Sequence, residues 1–259
     1  MLRLLKSYLK FLWKSTNEHG VHSPFVFDLV TKCFYDQTNY PEYVVLKNYR
    51  NSLLQNKKTI EVTDFGAGSK IFKSNIRKIS KIAKTAGITE KRAELLFRVV
   101  KYFQPKNILE IGTSLGLATA ALSIGNKSSE IITLEGCPET SKVAQQEFAK
   151  FGLKNIQPIV TEFSTYFGSQ NRKSETLNLI YIDGDHQKEA TLNYFDLLLP
   201  TVTNDSVWIF DDIHWSADME EAWKTIKKNP QVTVTIDTFQ WGFVFFRKEQ
   251  EKENFIIRA

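Results

Sequence analysis

Acids, glycines and histidines collect in four short stretches of this 259-residue chain, each directly after an apolar run. Residues 106–112 (KNILEIG) lead into Glu110-Ile111-Gly112-Thr113-Ser114-Leu115-Gly116. Residues 131–135 (IITLE) end on Glu135-Gly136. Residues 177–183 (LNLIYID) open into Asp183-Gly184-Asp185-His186, and residues 206–210 (SVWIF) into Asp211-Asp212-Ile213-His214. Glycines let a backbone turn tightly and approach a ligand, and a following helix offers free N–H groups. The G-x-x-x-G spacing, with Ser114 in the middle, departs from the G-x-G-x-x-G turn that receives a pyrophosphate. Glu110 would repel a phosphate, so a ligand with a cationic head suits this stretch better. An acid after the second strand, Glu135, is placed to hold both hydroxyls of a ribose, and Gly136 keeps the path to the sugar open. Four carboxylates and two imidazoles at the ends of two strands make a concentrated polar site. Helix N-capping explains one or two of those aspartates but not all of them.

The surrounding pattern dictates where these stretches stand. Strand-like runs at 106–112, 131–135, 155–160, 177–183 and 206–210 alternate with helical segments at 115–124, 138–151, 187–199 and 217–228. Strands separated by helices predict a parallel sheet with right-handed crossovers, and ligands then bind beyond the carboxyl ends of the strands. The last two runs, 232–236 and 242–247, are separated only by a turn and predict an antiparallel pair. The expected fold is α/β: a doubly wound, seven-stranded, mostly parallel sheet with its last strand antiparallel, and a helical N-terminal extension. The expected division is a basic extension over 1–80, making substrate or oligomer contacts, and a Rossmann-like domain over 81–259.

The motifs EIGTSLG, LEG, YIDGDH and FDDIHW, in that order, resemble those of class I S-adenosylmethionine-dependent methyltransferases. Within that superfamily the chain is most similar to the catechol and caffeoyl-coenzyme A O-methyltransferase group, over roughly 93–247. The resemblance implies that Glu110, Gly112, Ser114 and Gly116 line the methionine part of S-adenosylmethionine. It implies that Glu135 and Gly136 meet the ribose, and that Glu162 and Phe163 flank the adenine. Asp183 would border the cofactor as well. Asp183, Asp211 and Asp212 fall where the group's metal ligands lie, usually two Asp and an Asn; Asp212 is the departure. Three oxygen ligands suit magnesium, manganese or calcium rather than zinc. The alternative is that Asp183 and Asp211 only orient the substrate and cap helices. His186 stands where the catechol enzymes place a catalytic lysine. A phenolic hydroxyl ionises near pH 10, whereas an imidazole with an ordinary pKa of roughly 6.5 can accept its proton. His186 and Asp183 are therefore the expected catalytic pair, with His214 a weaker second base. The implied reaction is in-line O-methylation of a small phenolic or carrier-linked acceptor, and the implied assembly is a homodimer.

Charge divides the chain. Residues 1–105 hold 19 Lys and Arg against 8 Asp and Glu, and residues 106–259 hold 15 against 21. The basic part favours anionic partners, or is simply a set of solvated faces. N-methylation of nucleic acid or protein is the competing enzymatic reading. An Asn/Asp-Pro-Pro-Tyr-like motif is expected for nucleic-acid substrates, and IDGDH stands in its place, so no nucleic-acid partner is expected. Residues 2–13 place Leu2, Leu5, Leu9, Leu12 and Trp13 on one helical face. That pattern permits a membrane-surface helix, and a non-catalytic membrane- or partner-binding protein is the third reading; packing on its own domain or a second subunit is the preferred one. Lys6 and Lys10 interrupt a signal-like start, and two cysteines cannot form a disulfide framework, so a cytoplasmic location is expected. Asp64-Phe65-Gly66-Ala67-Gly68-Ser69 imitates the first cofactor motif and is read as a loop on the substrate side. His19 and His22 are read as local contacts.

Overall fold

The computed structural model describes residues 2–63, 72–168 and 176–259, so the 64–69 loop lies outside the described residues. The chain forms two compact units, Asp36–Gln170 and a composite of Met1–Tyr35 with Asn171–Ala259. Residues 1–80 are thus divided between the two.

The composite unit starts with α1 (Leu2–Lys14) and α2 (Pro24–Leu29). Ser23 caps α2, its hydroxyl accepting the Val26 N–H, and Pro24 sits in the first turn, where no N–H is needed. The helix loosens into a π-turn over Val30–Phe34. After residue 176 come β6 (Leu179–Ile182), α9 (Lys188–Leu198), β7 (Val207–Asp211), α10 (Ala217–Lys228), β8 (Val234–Asp237), β9 (Trp241–Phe245) and β10 (Glu253–Ile256). Their order across the unit is β10-β8-β9-β7-β6. β6 and β7 are parallel, and β9 runs antiparallel to both β7 and β8. β10 returns parallel to β8. At Pro200 the end of α9 tightens into a 3-10 turn over Leu199–Thr201.

The other unit carries α3 (Glu42–Gln55), β1 (Thr59–Glu61), β2 (Ile76–Lys78), α4 (Ile79–Thr85) and α5 (Glu90–Phe103). Then follow β3 (Asn107–Ile111), α6 (Leu117–Gly125), β4 (Glu130–Glu135), α7 (Pro138–Lys150), β5 (Ile156–Val160) and α8 (Phe163–Gly168). β3, β4 and β5 are parallel neighbours, and β1 pairs antiparallel with β2. Gln104 takes a left-handed conformation after α5, so Pro105 can start the path into β3. α6 is buried along its whole length, which its small residues permit: Ala118, Ala120 and Ala121 let the neighbouring backbone come close.

All seven expected strands are present, and the expected antiparallel pair is β8 and β9. Three further strands join those seven: β1 and β2, which pair with each other, and β10, which runs parallel to β8. Burial explains the core. β6, β7, β8 and β9 are buried at every position, as strands covered on both faces must be. Each large apolar side chain removed from water there contributes on the order of 2 kcal/mol.

Candidate active site

In the unit built on β3, β4 and β5, the carboxyl edge is organised by two glutamates. Glu135, the last residue of β4, is half-buried and fixed by two backbone donors. Its Oε2 accepts the Ser114 N–H at 2.8 Å and its Oε1 the Cys137 N–H at 2.9 Å. The turn after β3 reaches this carboxylate because three residues adopt positive φ: Gly112 at 102°, Ser114 at 49° and Gly116 at 77°. Gly112 and Thr113 both donate N–H groups to the Leu134 carbonyl, which ties the turn to the end of β4. Gly116 is required by packing. A Cβ there would stand 2.4 Å from Phe148 Cε1 and 2.5 Å from the Tyr49 hydroxyl, and Tyr49 itself donates to the Leu115 carbonyl. Thr161 donates to the Glu135 carbonyl, so exposed Glu162 and half-buried Phe163 follow directly beside that acid.

Glu110 is placed differently from Glu135. It is wholly buried, and its Oε2 accepts the hydroxyls of Thr119 and Thr133, both at 2.5 Å. Thr133 is linked in turn to Thr113. The other oxygen, Oε1, is buried with no hydrogen-bond partner. Burial pushes the carboxyl up from 4.5 to about 8, the two threonine hydroxyls hold it down only in part, and the Glu135 charge adds to the rise. A buried acid with an unmatched oxygen, two positions from a left-handed glycine, fits a cationic ligand head. A half-exposed carboxylate clamped by N–H groups fits a diol.

In the composite unit, the turn after β6 carries Asp183 and His186. His186 Nε2 lies 3.5 Å from Asp183 Oδ1, and both side chains are about a quarter exposed or less. Asp185 and His186 have φ of 70° and 47°, an arrangement that costs roughly 1–3 kcal/mol per residue. The surroundings impose it. Asp185 accepts the Tyr194 hydroxyl at 3.0 Å and the Gln187 amide at 3.1 Å, which anchors the turn to α9. Burial, then the Asp185 charge and hydrogen bond, push the Tyr194 hydroxyl well up. The strained turn thus presents His186 with Asp183 behind it.

The implied metal site does not assemble. Among the described residues no group of three or more His, Cys, Asp or Glu side chains is arranged to hold a metal ion. Asp211 belongs to β7 and is buried; its Oδ2 accepts the Tyr181 hydroxyl at 2.9 Å and its Oδ1 the Asp212 N–H at 2.7 Å. Asp212 takes φ of 54° and receives the Trp215 N–H on its carbonyl, closing a tight turn. Asp183, Asp211 and Asp212 therefore do not fit the three-oxygen set.

His214 is a fastening. Its Nε2 lies 2.9 Å from Asp237 and its Nδ1 3.3 Å from Glu220, and the Phe239 ring stacks on it at 5.1 Å. Burial lowers its pKa, but the Asp237 hydrogen bond and charge, then those of Glu220, outweigh that and raise it. His19 lies 3.4 Å from Glu18 and is exposed; His22 is exposed as well. Tyr181 and Asp185 stand within the YIDGDH motif, whereas Tyr194, which anchors the turn from α9, carries no local sequence signal.

Residues 109–213 match a family described as a methyltransferase domain. That match spans the turn after β3, the Glu135 clamp, the Asp183–His186 turn and Asp211-Asp212. The fold is similar to that of an SAH-bound methyltransferase from Podospora anserina, with a TM-score of 0.61 and 13% identity over 88% of this chain and 97% of the other. It is also similar to an O-methyltransferase from Bacillus cereus in complex with SAH, at 0.54 and 17% over 83% and 93%. A third likeness is to the O-methyltransferase TomG from Streptomyces achromogenes in complex with SAM, at 0.53 and 16% over 62% and 82%.

Proposed function

We propose that the protein is an S-adenosylmethionine-dependent O-methyltransferase acting on a small hydroxylated acceptor, phenolic or carrier-linked. The observation that carries this reading is the His186–Asp183 pair, 3.5 Å apart on a strained turn inside a methyltransferase domain. The SAH and SAM held by the similar proteins support the cofactor.

When bound, S-adenosylmethionine supplies a methyl group already activated by a sulfonium. Glu135 would accept hydrogen bonds from the ribose hydroxyls, its orientation fixed in advance by Ser114 and Cys137. Gly112 and Ser114 would let the backbone approach the methionine part, and Glu110 would answer its positive charge from the interior. Glu162 and Phe163 would flank the adenine. His186 takes the proton from the acceptor hydroxyl as that oxygen becomes the nucleophile. Asp183 stabilises the imidazolium that forms and holds the ring. Such a base contributes typically 10²–10⁴-fold; alignment of the hydroxyl supplies much of the rest.

The test is methyl transfer from labelled S-adenosylmethionine to a panel of catechols and coenzyme A-linked phenols. His186→Ala and Asp183→Asn should lower kcat by about 10²–10⁴ with cofactor affinity retained, and Glu135→Ala should lose cofactor affinity. A chain that does not bind S-adenosylmethionine in a calorimeter at millimolar concentration would end the proposal. A chain that binds it but transfers equally well without His186 would remove the assigned base.

A further inference from the structure

Helix α1 has two faces with different uses. One is fastened to its own unit. Arg3 donates to the His214 carbonyl at 2.9 Å and pairs with Glu220 at 3.2 Å. Ser7 donates to the same carboxylate at 2.6 Å. Tyr8 and Phe11 pack on Phe239, with centroids 4.8 and 5.5 Å apart. The opposite face holds Leu5, Leu9, Leu12 and Trp13, spaced i, i+4, i+7 and i+8, so they form a single stripe along the helix. That stripe faces outward: Leu5 is 53%, Leu9 57% and Trp13 84% exposed. An isolated exposed leucine needs no explanation, but a contiguous row ending in a bare tryptophan does.

The polar side chains beside the stripe identify what covers it. Lys6, Lys10 and Lys14 are exposed, and on a helical projection Lys6 and Lys10 flank the stripe on the Trp13 side. The helix LRLLKSYLKFLWK contains no acid at all. A two-fold contact between copies of this face would set α1 lysines against α1 lysines, because such an interface pairs the same patch with itself. A surface that is apolar below and anionic at its rim matches the stripe and the lysines together.

We propose that the outward face of α1 docks on an anionic lipid surface, with Leu5, Leu9, Leu12 and Trp13 entering the headgroup region and Lys6 and Lys10 meeting the lipid charges. The helix lies on the surface: among the described residues no helix is long and apolar enough to cross a membrane. The inference rests on α1 alone and is independent of which acceptor is methylated.

The full chain is mixed with phosphatidylcholine vesicles and with vesicles that also contain phosphatidylglycerol, and floated on a density gradient. Flotation is expected on the anionic vesicles only, to weaken with added salt, and to move Trp13 fluorescence to the blue. Lys6→Gln with Lys10→Gln should weaken partitioning roughly five-fold per charge. Leu9→Asp with Trp13→Ala should abolish it while leaving the melting temperature unchanged, since both side chains face solvent. Three results would overturn the proposal: no flotation on anionic vesicles, flotation indifferent to the lysines, or a dimer in sedimentation velocity that Leu9→Asp dissociates. The last would assign the face to a second copy.

Discussion

Replacing Glu110 with glutamine should make the protein more stable, increasingly so as the pH rises. The folded-state pKa of about 8 stands against an ordinary value of 4.5. Below the lower value both folded and unfolded chains hold the proton, and the group has no pH effect. Between the two values the folded chain keeps a proton that the unfolded chain has released, so stability falls with rising pH. Above the higher value both are ionised and the penalty is constant. At about 1.4 kcal/mol per unit, the interval amounts to about 5 kcal/mol in full and about 3 kcal/mol by neutral pH. Glutamine keeps an acceptor for Thr119 and Thr133 and cannot ionise, so it removes the penalty. Urea unfolding of the cofactor-free protein, repeated from about pH 5 to 9, measures the difference. The two proteins should coincide within about 1 kcal/mol at the acid end and diverge by several kcal/mol at the alkaline end. Parallel curves across that range would refute the argument, because they would mean that the carboxyl is not held neutral by its surroundings.

Binding a sulfonium ligand beside Glu110 should pull its pKa down and release a proton, so the calorimetric enthalpy near neutral pH should vary with the ionisation enthalpy of the buffer; no dependence, or uptake, contradicts the placement. Gly116→Ala, forced to φ of 77° with its Cβ against Phe148 and Tyr49, should cost about 2–4 kcal/mol in chemical denaturation. His214→Asn should cost about 1–3 kcal/mol at acid pH. Because the folded-state pKa of His214 is raised, that contribution is complete below roughly 6.5 and lost as pH rises through the folded value; a cost that grows with pH would show the sign to be wrong.

The alternation of strands and helices was readable because buried strands such as LIYI and VWIF are continuous apolar runs between helical periods. β10 was not: ENFI follows a charged stretch and leaves its first two side chains exposed at a sheet edge, so no apolar run marks it. The π-turn after α2 has no composition signal either. At the candidate site, residue types after each strand mark candidate residues but not the direction of a carboxylate. Asp211 reads as a ligand in FDDIHW, yet it is buried against Tyr181, 30 positions earlier. His214 reads as a base until Glu220 and Asp237 are brought to its two nitrogens. For α1 the periodicity located the leucine face correctly. What it could not tell is that Arg3, Ser7 and Phe11 do the fastening, leaving the leucines outward.

The composite unit also imposes an order on biosynthesis. Arg3 and Ser7 find their partners more than 210 positions later, at His214 and Glu220, and Thr16 bridges to Ile257. Residues 36–170 can collapse while the ribosome is still translating, but α1 has nothing to hold until the downstream strands emerge. Throughout that interval the nascent chain carries a basic, leucine-rich segment whose folded-state partners have not yet been made.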